Sequence, residues 1–223
     1  MSNEVLRQRL VAGLQTMELG LSDEVVERLL AYLAMLIKWN RAYNLTAVRD
    51  PLEMVTKHLL DSLSVVPHLQ GRRIIDVGTG GGLPGIPLAI VFPERDVTLL
   101  DSNGKKTRFL LQARAELGLE NVTVIHARVE DFQPDRLFDC VITRAFASVA
   151  DILTGSRHLL ADGGLVLAMK GVVPEEELAT LPEGYRLLEV IPLRVAGLEQ
   201  EQRHLIFMGR DENSGSEQAG GEG

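Results

Sequence analysis

The residues best suited to chemistry lie between Ile74 and Gly85, where the chain reads Ile-Ile-Asp-Val-Gly-Thr-Gly-Gly-Gly-Leu-Pro-Gly. An apolar run ending in five glycines within eight residues is a strand feeding a loop whose backbone can take positive φ and approach a ligand closely. Such a loop cradles a nucleotide at the carboxyl end of a strand, and a purely steric tight turn is the competing reading. The glycine spacing by itself admits either a nicotinamide dinucleotide or S-adenosylmethionine. Two details favour the second. Asp76 stands within the strand, where its carboxylate could meet the amino group of a methionine moiety, and Thr79 and Pro84 make the loop unlike the start of a pyrophosphate-binding helix.

Asp101 follows at roughly the twenty-residue interval expected after such a loop, at the end of Val97-Thr98-Leu99-Leu100, where a carboxylate can accept from both ribose hydroxyls. Its alternative role is to cap the next helix, but Ser102 or Asn103 can do that instead. After the third strand, Ala127-Arg128-Val129-Glu130-Asp131-Phe132 occupies the place where adenine is bracketed by backbone amides and a nearby acid; a solvated loop acid is the plain alternative. Arg144, just past the fourth strand, can form a planar fork on a phosphate, or simply pair with an acid. No Ser-His-Asp set and no metal-ligand cluster is expected, and His126 and His158 read as packing or surface residues.

The elements that must position these residues follow from periodicity. From about residue 5 to 68 the pattern is helical: Val25, Val26, Leu29, Leu30, Leu33, Leu36 and Ile37 recur at the three- and four-residue spacings of one face. Ser22 is a suitable N-cap with Asp23 and Glu24 in the first turn, and a second helix is expected to start at Asp50-Pro51 and run toward Ser64. After Gly71 short β-branched runs alternate with helical stretches, the mark of βαβ units on a parallel sheet. Strands are expected over 73–77, 96–100, 122–126, 138–143 and 164–169, with helices over 84–91, 105–117 and 149–160. Runs 185–193 and 203–209 read as an edge hairpin.

The 223 residues, 45% hydrophobic, suffice for one sizeable core with an appendage. The expected division is a helical region over 1–70, a sheet domain over 71–210 and a disordered tail over 211–223, four of whose residues are acidic and none basic. No run of about 18 uncharged apolar residues occurs and the N-terminus is polar, so neither a membrane span nor a signal peptide is expected, and the single Cys140 suits a reducing cytoplasm. A net charge of −8 opposes a bulk electrostatic grip on nucleic acid. A local basic face remains available in Lys38, Arg41, Arg49 and Lys57, interleaved with Trp39 and Tyr43, which could stack on a base or pack on the core; Lys105, Lys106 and Arg108 could form another.

Several segments together resemble the ribosomal RNA small-subunit methyltransferase G family, also called glucose-inhibited division protein B. They are Trp39 to Thr46, His58 to Ser62, Asp76 to Pro87, Leu100-Asp101-Ser102, Arg144 to Ser148, Lys170-Gly171 and Glu201 to Leu205. The resemblance implies an α/β, seven-stranded Rossmann-like S-adenosylmethionine-dependent methyltransferase fold with an N-terminal helical extension. It also implies methyl transfer to N7 of a guanosine in 16S ribosomal RNA, free or within the small ribosomal subunit. By motif, Asp76, Gly78, Thr79, Gly80, Leu83, Asp101, Ser102, Val129, Glu130 and Arg144 would meet the cofactor, and Arg144 with Arg203 would be catalytic. Lys38, Arg41, Asn44, His58, Asp61, Lys170 and His204 would hold or position RNA. Gly81 departs from the proline or alanine common in the family, which makes the loop more flexible. A methyltransferase for a small metabolite, a nicotinamide-dependent oxidoreductase and a non-catalytic RNA-binding module are the alternative classes.

Overall fold

The computed structural model describes residues 2–144 and 148–211. Ala145, Phe146 and Ala147 of the matched motif, and the expected tail from 212 on, lie outside the described residues. The chain opens with α1 (Asn3–Thr16) and α2 (Asp23–Tyr43). The Ser22 hydroxyl accepts from the Val25 amide at 3.3 Å, as its side chain suggests for an N-cap, and the face carrying Val26, Leu29, Leu30, Leu33 and Leu36 is buried. Asn44 ends α2 in the left-handed region at φ 50°, a conformation asparagine tolerates. Asp50 caps the next segment by accepting from Glu53 at 2.9 Å. That segment departs from the uniform helix expected: α3 (Pro51–Met54) continues into a π-helical turn, Val55–Leu60, and then α4 (Asp61–Leu63). Widening the turn by one residue redirects its side chains, and such turns gather at functional sites.

Alternating elements follow: β1 (Arg73–Val77), α5 (Gly85–Val91), β2 (Asp96–Asp101), α6 (Gly104–Glu116), β3 (Val122–His126), β4 (Phe138–Thr143), α7 (Val149–Ser156), β5 (Leu160–Lys170), α8 (Glu175–Ala179), β6 (Tyr185–Pro192) and β7 (His204–Arg210). They form a seven-stranded sheet of order β3-β2-β1-β4-β5-β7-β6, parallel from β1 to β5, with β7 antiparallel between β5 and β6. β5 begins at Leu160, four residues before the start expected at 164. Phe138 pairs with Leu160 but Cys140 with Leu165, so the turn-like Ala161-Asp162-Gly163-Gly164 is a bulge inside the strand.

One face of the sheet, with Ile74, Cys140, Ile142, Leu167 and Leu205, packs with Leu88 of α5 and with Val65 and Leu69, which follow α4. The other, with Ile75, Val141, Val166, Ile206 and Met208, packs with Val149, Ile152 and Leu153 of α7. The largest cluster joins the N-terminal helices to the sheet's own units: Leu10, Leu29, Leu33 and Leu36 share it with Ile86, Leu99, Phe109 and Leu110. Burial of this apolar surface is the main force holding α1 and α2 against α5 and α6. Cys140 is 1% exposed and its thiol is pushed up to about 12 by burial. No helix among the described residues is long and apolar enough to cross a membrane.

A polar fastening unmarked in the sequence pattern is Asn121, ahead of β3. Its side-chain amide donates to the carbonyls of Ala89, Phe92 and Arg95 at 3.1, 3.2 and 3.1 Å, tying the end of α5 to the sheet. Asn121→Ala leaves those carbonyls short of a donor and is expected to cost about 1–3 kcal/mol, read from the urea midpoint at unchanged slope.

Candidate active site

The glycine loop is built around one sunken carboxylate. Asp76 is 0% exposed, and its Oδ2 accepts from the Thr79 hydroxyl at 2.6 Å and from the Gly85 amide at 2.8 Å, while its Oδ1 has no partner. Burial raises its pKa to about 6, against the pull of those hydrogen bonds. The Gly85 amide is the first of α5, so the helix start that a pyrophosphate would need is already occupied by Asp76. Thr79 and Leu83 are buried beside it, 2% and 5% exposed, so they shape the loop from beneath. Gly82 takes φ +92°, and a Cβ there would fall 2.6 Å from the Ile86 side chain, so only glycine fits.

Asp101 ties the loop to β2. Its Oδ2 accepts from the Gly80 amide at 2.9 Å and its Oδ1 from the Asn103 amide at 2.8 Å, with Lys106 Nζ 3.9 Å away. Asn103, not Asp101, caps α6, accepting from Lys105 and Lys106. Each Asp101 oxygen thus keeps a lone pair for a further donor. Gly78, Asp101, Ser102, Val129 and Glu130 line one cavity of about 320 Å³, together with Lys106 and Arg128. Lys106, one of the three bases read as a second patch, thus borders this cavity. His126 contacts the Ser102 carbonyl at 3.1 Å and His158 that of Phe132 at 3.0 Å, the packing roles read for them.

A second cluster lies across the carboxyl ends of β4 and β5, beside the point where strand order reverses. Asp61 is its centre. Its Oδ2 accepts from Arg144 Nη1 at 3.1 Å and its Oδ1 from Arg203 Nε at 3.0 Å, and the side chain is 6% exposed. Arg144 Nη1 also donates to the Lys57 carbonyl of the π turn at 3.1 Å, and Arg203 Nη2 to Glu201 at 2.7 Å. Two cations and two anions make the group neutral. His58, one turn before Asp61, bonds the Thr46 hydroxyl through Nε2 at 2.8 Å while its Nδ1 is buried without a partner. Burial and the Arg144 charge lower its pKa to about 4, so it is neutral at physiological pH. His204 Nδ1 meets the Gly171 carbonyl at 2.7 Å, and Lys170 is its register partner across β5 and β7.

The remaining helical residues do not converge there. Lys38 and Arg41 line a groove with Asn3 and Leu6 of α1. At about 100° per residue, that side of α2 is turned well away from Tyr32 and Leu36, which face the glycine loop. Lys38 and Arg41 therefore lie off the side of α2 that meets the loop. Asn44 ends α2 and accepts from Arg49 at 2.9 Å. Trp39 packs on Phe109 at 5.7 Å between centroids, and Tyr43, 42% exposed, stacks on it at 5.1 Å. For Trp39 the core alternative holds. Among the described residues no group of three or more potential ligands could hold a metal ion.

The family described as rRNA small subunit methyltransferase G matches residues 25–206 of this chain. The chain belongs to that family. The protein named ribosomal RNA small subunit methyltransferase G in Stutzerimonas stutzeri (strain A1501) is 57% identical to it, with 91% of this chain and 95% of the relative covered. The protein of that name in Pseudomonas paraeruginosa (strain DSM 24068 / PA7) is 56% identical, covering 90% and 94%. Solved methyltransferase structures share the fold at low identity. The mitomycin 7-O-methyltransferase MmcR aligns with TM-score 0.58 and 15% identity over 72% of this chain and 56% of its own. A methyltransferase from Thiobacillus denitrificans, in complex with S-adenosyl-L-homocysteine, aligns at 0.51 and 15% over 68% and 90%. In this rRNA small subunit methyltransferase G family member, the sheet order and N-terminal helices fulfil the fold expected from the sequence.

The two buried titratable groups predict opposite pH dependences. Asp76 is raised from 3.8 to about 6, so its contribution to stability is full below 3.8 and lost as pH rises through 6. His58 is lowered from 6.5 to about 4, so its contribution is present above 6.5 and lost as pH falls through 4. In a Tm series from pH 4 to 7, Asp76→Asn is expected to gain on the parent protein as pH rises. His58→Gln is expected to gain on it as pH falls.

Proposed function

We propose that this chain transfers the methyl group of S-adenosylmethionine to N7 of a guanosine in 16S ribosomal RNA, in the cytoplasm. Family membership over residues 25–206 is the observation that carries the reading. The cavity fits the cofactor on its own terms: Asp101 walls it with spare acceptor capacity for ribose hydroxyls, Val129 and Glu130 lie where an adenine would rest, and Gly78 brings bare backbone to its edge. These residues, with Ser102, would hold the nucleoside, and the bound cofactor supplies an electrophilic methyl group. Blocking of the α5 N-terminus by Asp76 counts against a dinucleotide and hence against an oxidoreductase.

Guanine N7 carries an in-plane lone pair at neutral pH, so this chain needs no general base. Its task is alignment, which in well-oriented systems supplies about 7–11 kcal/mol of the barrier. Arg144 sits just past the end of β4, outside the lining of the cavity, held by Asp61 and by the π turn, and is suited to donate to O6 or to a phosphate. N7 methylation leaves the base cationic. A bare arginine cluster would oppose that product, whereas one neutralised by Asp61 and Glu201 offers donors without net repulsion.

The test uses radiolabelled S-adenosylmethionine with naked 16S rRNA and with small subunits from a strain lacking the enzyme. Label is expected as 7-methylguanosine in one of the two, and absence from both overturns the reading. Arg144→Ala is expected to lower turnover by at least about 100-fold. Because Arg203 still pairs with Asp61 in that variant, its Tm should stay within a few degrees of the parent.

A further inference from the structure

Tyr32 lies at the middle of α2, 0% exposed, and its hydroxyl donates to the Gly81 carbonyl at 2.6 Å across 49 residues of sequence. Apart from Asn40 near the helix end, every other buried residue of α2 is apolar, so a phenol at this depth is placed for that one acceptor. Burial holds it well above its usual pKa, which keeps it a donor. Gly80, Gly81 and Gly82 are consecutive, and glycine surrenders more backbone freedom on ordering than any other residue. The loop's own restraints bracket this stretch: Gly80 is held by Asp101, and the Gly82 and Leu83 amides by the Thr79 carbonyl at 2.9 and 3.0 Å. The described hydrogen bond to Gly81 comes from outside the sheet domain altogether, and Leu36, one turn on, stands 3.1 Å from where a Gly81 Cβ would be.

We propose that Tyr32 is a positioning residue for cofactor binding: through Gly81 it fixes the loop that presents Gly78 to the cavity and ties Gly80 to Asp101, so that α2 sets cofactor affinity without touching the cofactor. This rests on the reading of that cavity as the S-adenosylmethionine site. A loop that samples unproductive conformations weakens the apparent affinity in proportion to the competent fraction, while a molecule already carrying the ligand reacts as before.

The experiment measures the S-adenosylhomocysteine Kd by calorimetry on the full chain, alongside Tm and steady-state kinetics. Tyr32→Phe removes one oxygen and is expected to raise that Kd about tenfold, with KM for RNA and kcat at saturating cofactor within about twofold. Leu10→Ala, a buried substitution in α1, is the control for general destabilisation: it should lower Tm without moving Kd. An unchanged Kd in Tyr32→Phe or an equal loss in Leu10→Ala overturns the proposal. If the parent protein itself fails to bind S-adenosylhomocysteine, the cavity reading falls and the proposal with it.

Discussion

The site rests on a carboxylate placed where water cannot reach it. Asp76 could be solvated almost anywhere else in the chain; in β1 it must be satisfied by the loop that follows, and that requirement folds the loop. The Thr79 hydroxyl and the Gly85 amide converge on one oxygen, which fixes both ends of the turn and orients α5. Burying a carboxyl costs free energy, and its raised pKa is the visible measure of that cost. In exchange, both ends of the loop are held from within the strand. With its ends fastened beneath, its upper backbone is free to face Asp101.

The sheet brings the second half of the site to the first. Because the strand order turns back between β1 and β4, the carboxyl ends of β2 and β3 lie to one side of a cleft and those of β4 and β5 to the other. The cavity occupies the first side and the Asp61 cluster the second. Asp61 draws its two arginines from just past β4 and just before β7, residues 59 apart in the chain that meet because β7 runs antiparallel beside β5. The π turn contributes the Lys57 carbonyl, so a local irregularity near the N-terminus helps to aim a side chain from the middle of the sheet.

Much of this was legible before any coordinates. Three strands, 73–77, 122–126 and 138–143, fall where short β-branched runs put them. Asp101 was identifiable because it ends such a run at the right distance from the glycines. What was not legible depends on three-dimensional direction. Lys38 and Arg41 read in sequence as part of one RNA-facing set, but they line a groove against α1, because at about 100° per residue they fall on the side of α2 away from Tyr32 and Leu36. The π turn carries no residue type that announces it, and Asn121 looks like any polar residue before a strand until the three carbonyls around it are seen. The β5 bulge misled for the opposite reason: Ala-Asp-Gly-Gly has the composition of a turn yet lies within a strand.

Cys140 closes the inventory in a useful way. It is the chain's sole thiol, wedged in β4 between Ile74 and Leu165, where a reagent in solvent cannot touch it while the sheet is intact. Alkylation of the native molecule therefore clocks the opening of the sheet centre. A cysteine introduced on the surface would be the single reactive handle for a spectroscopic label, with no native thiol to remove first.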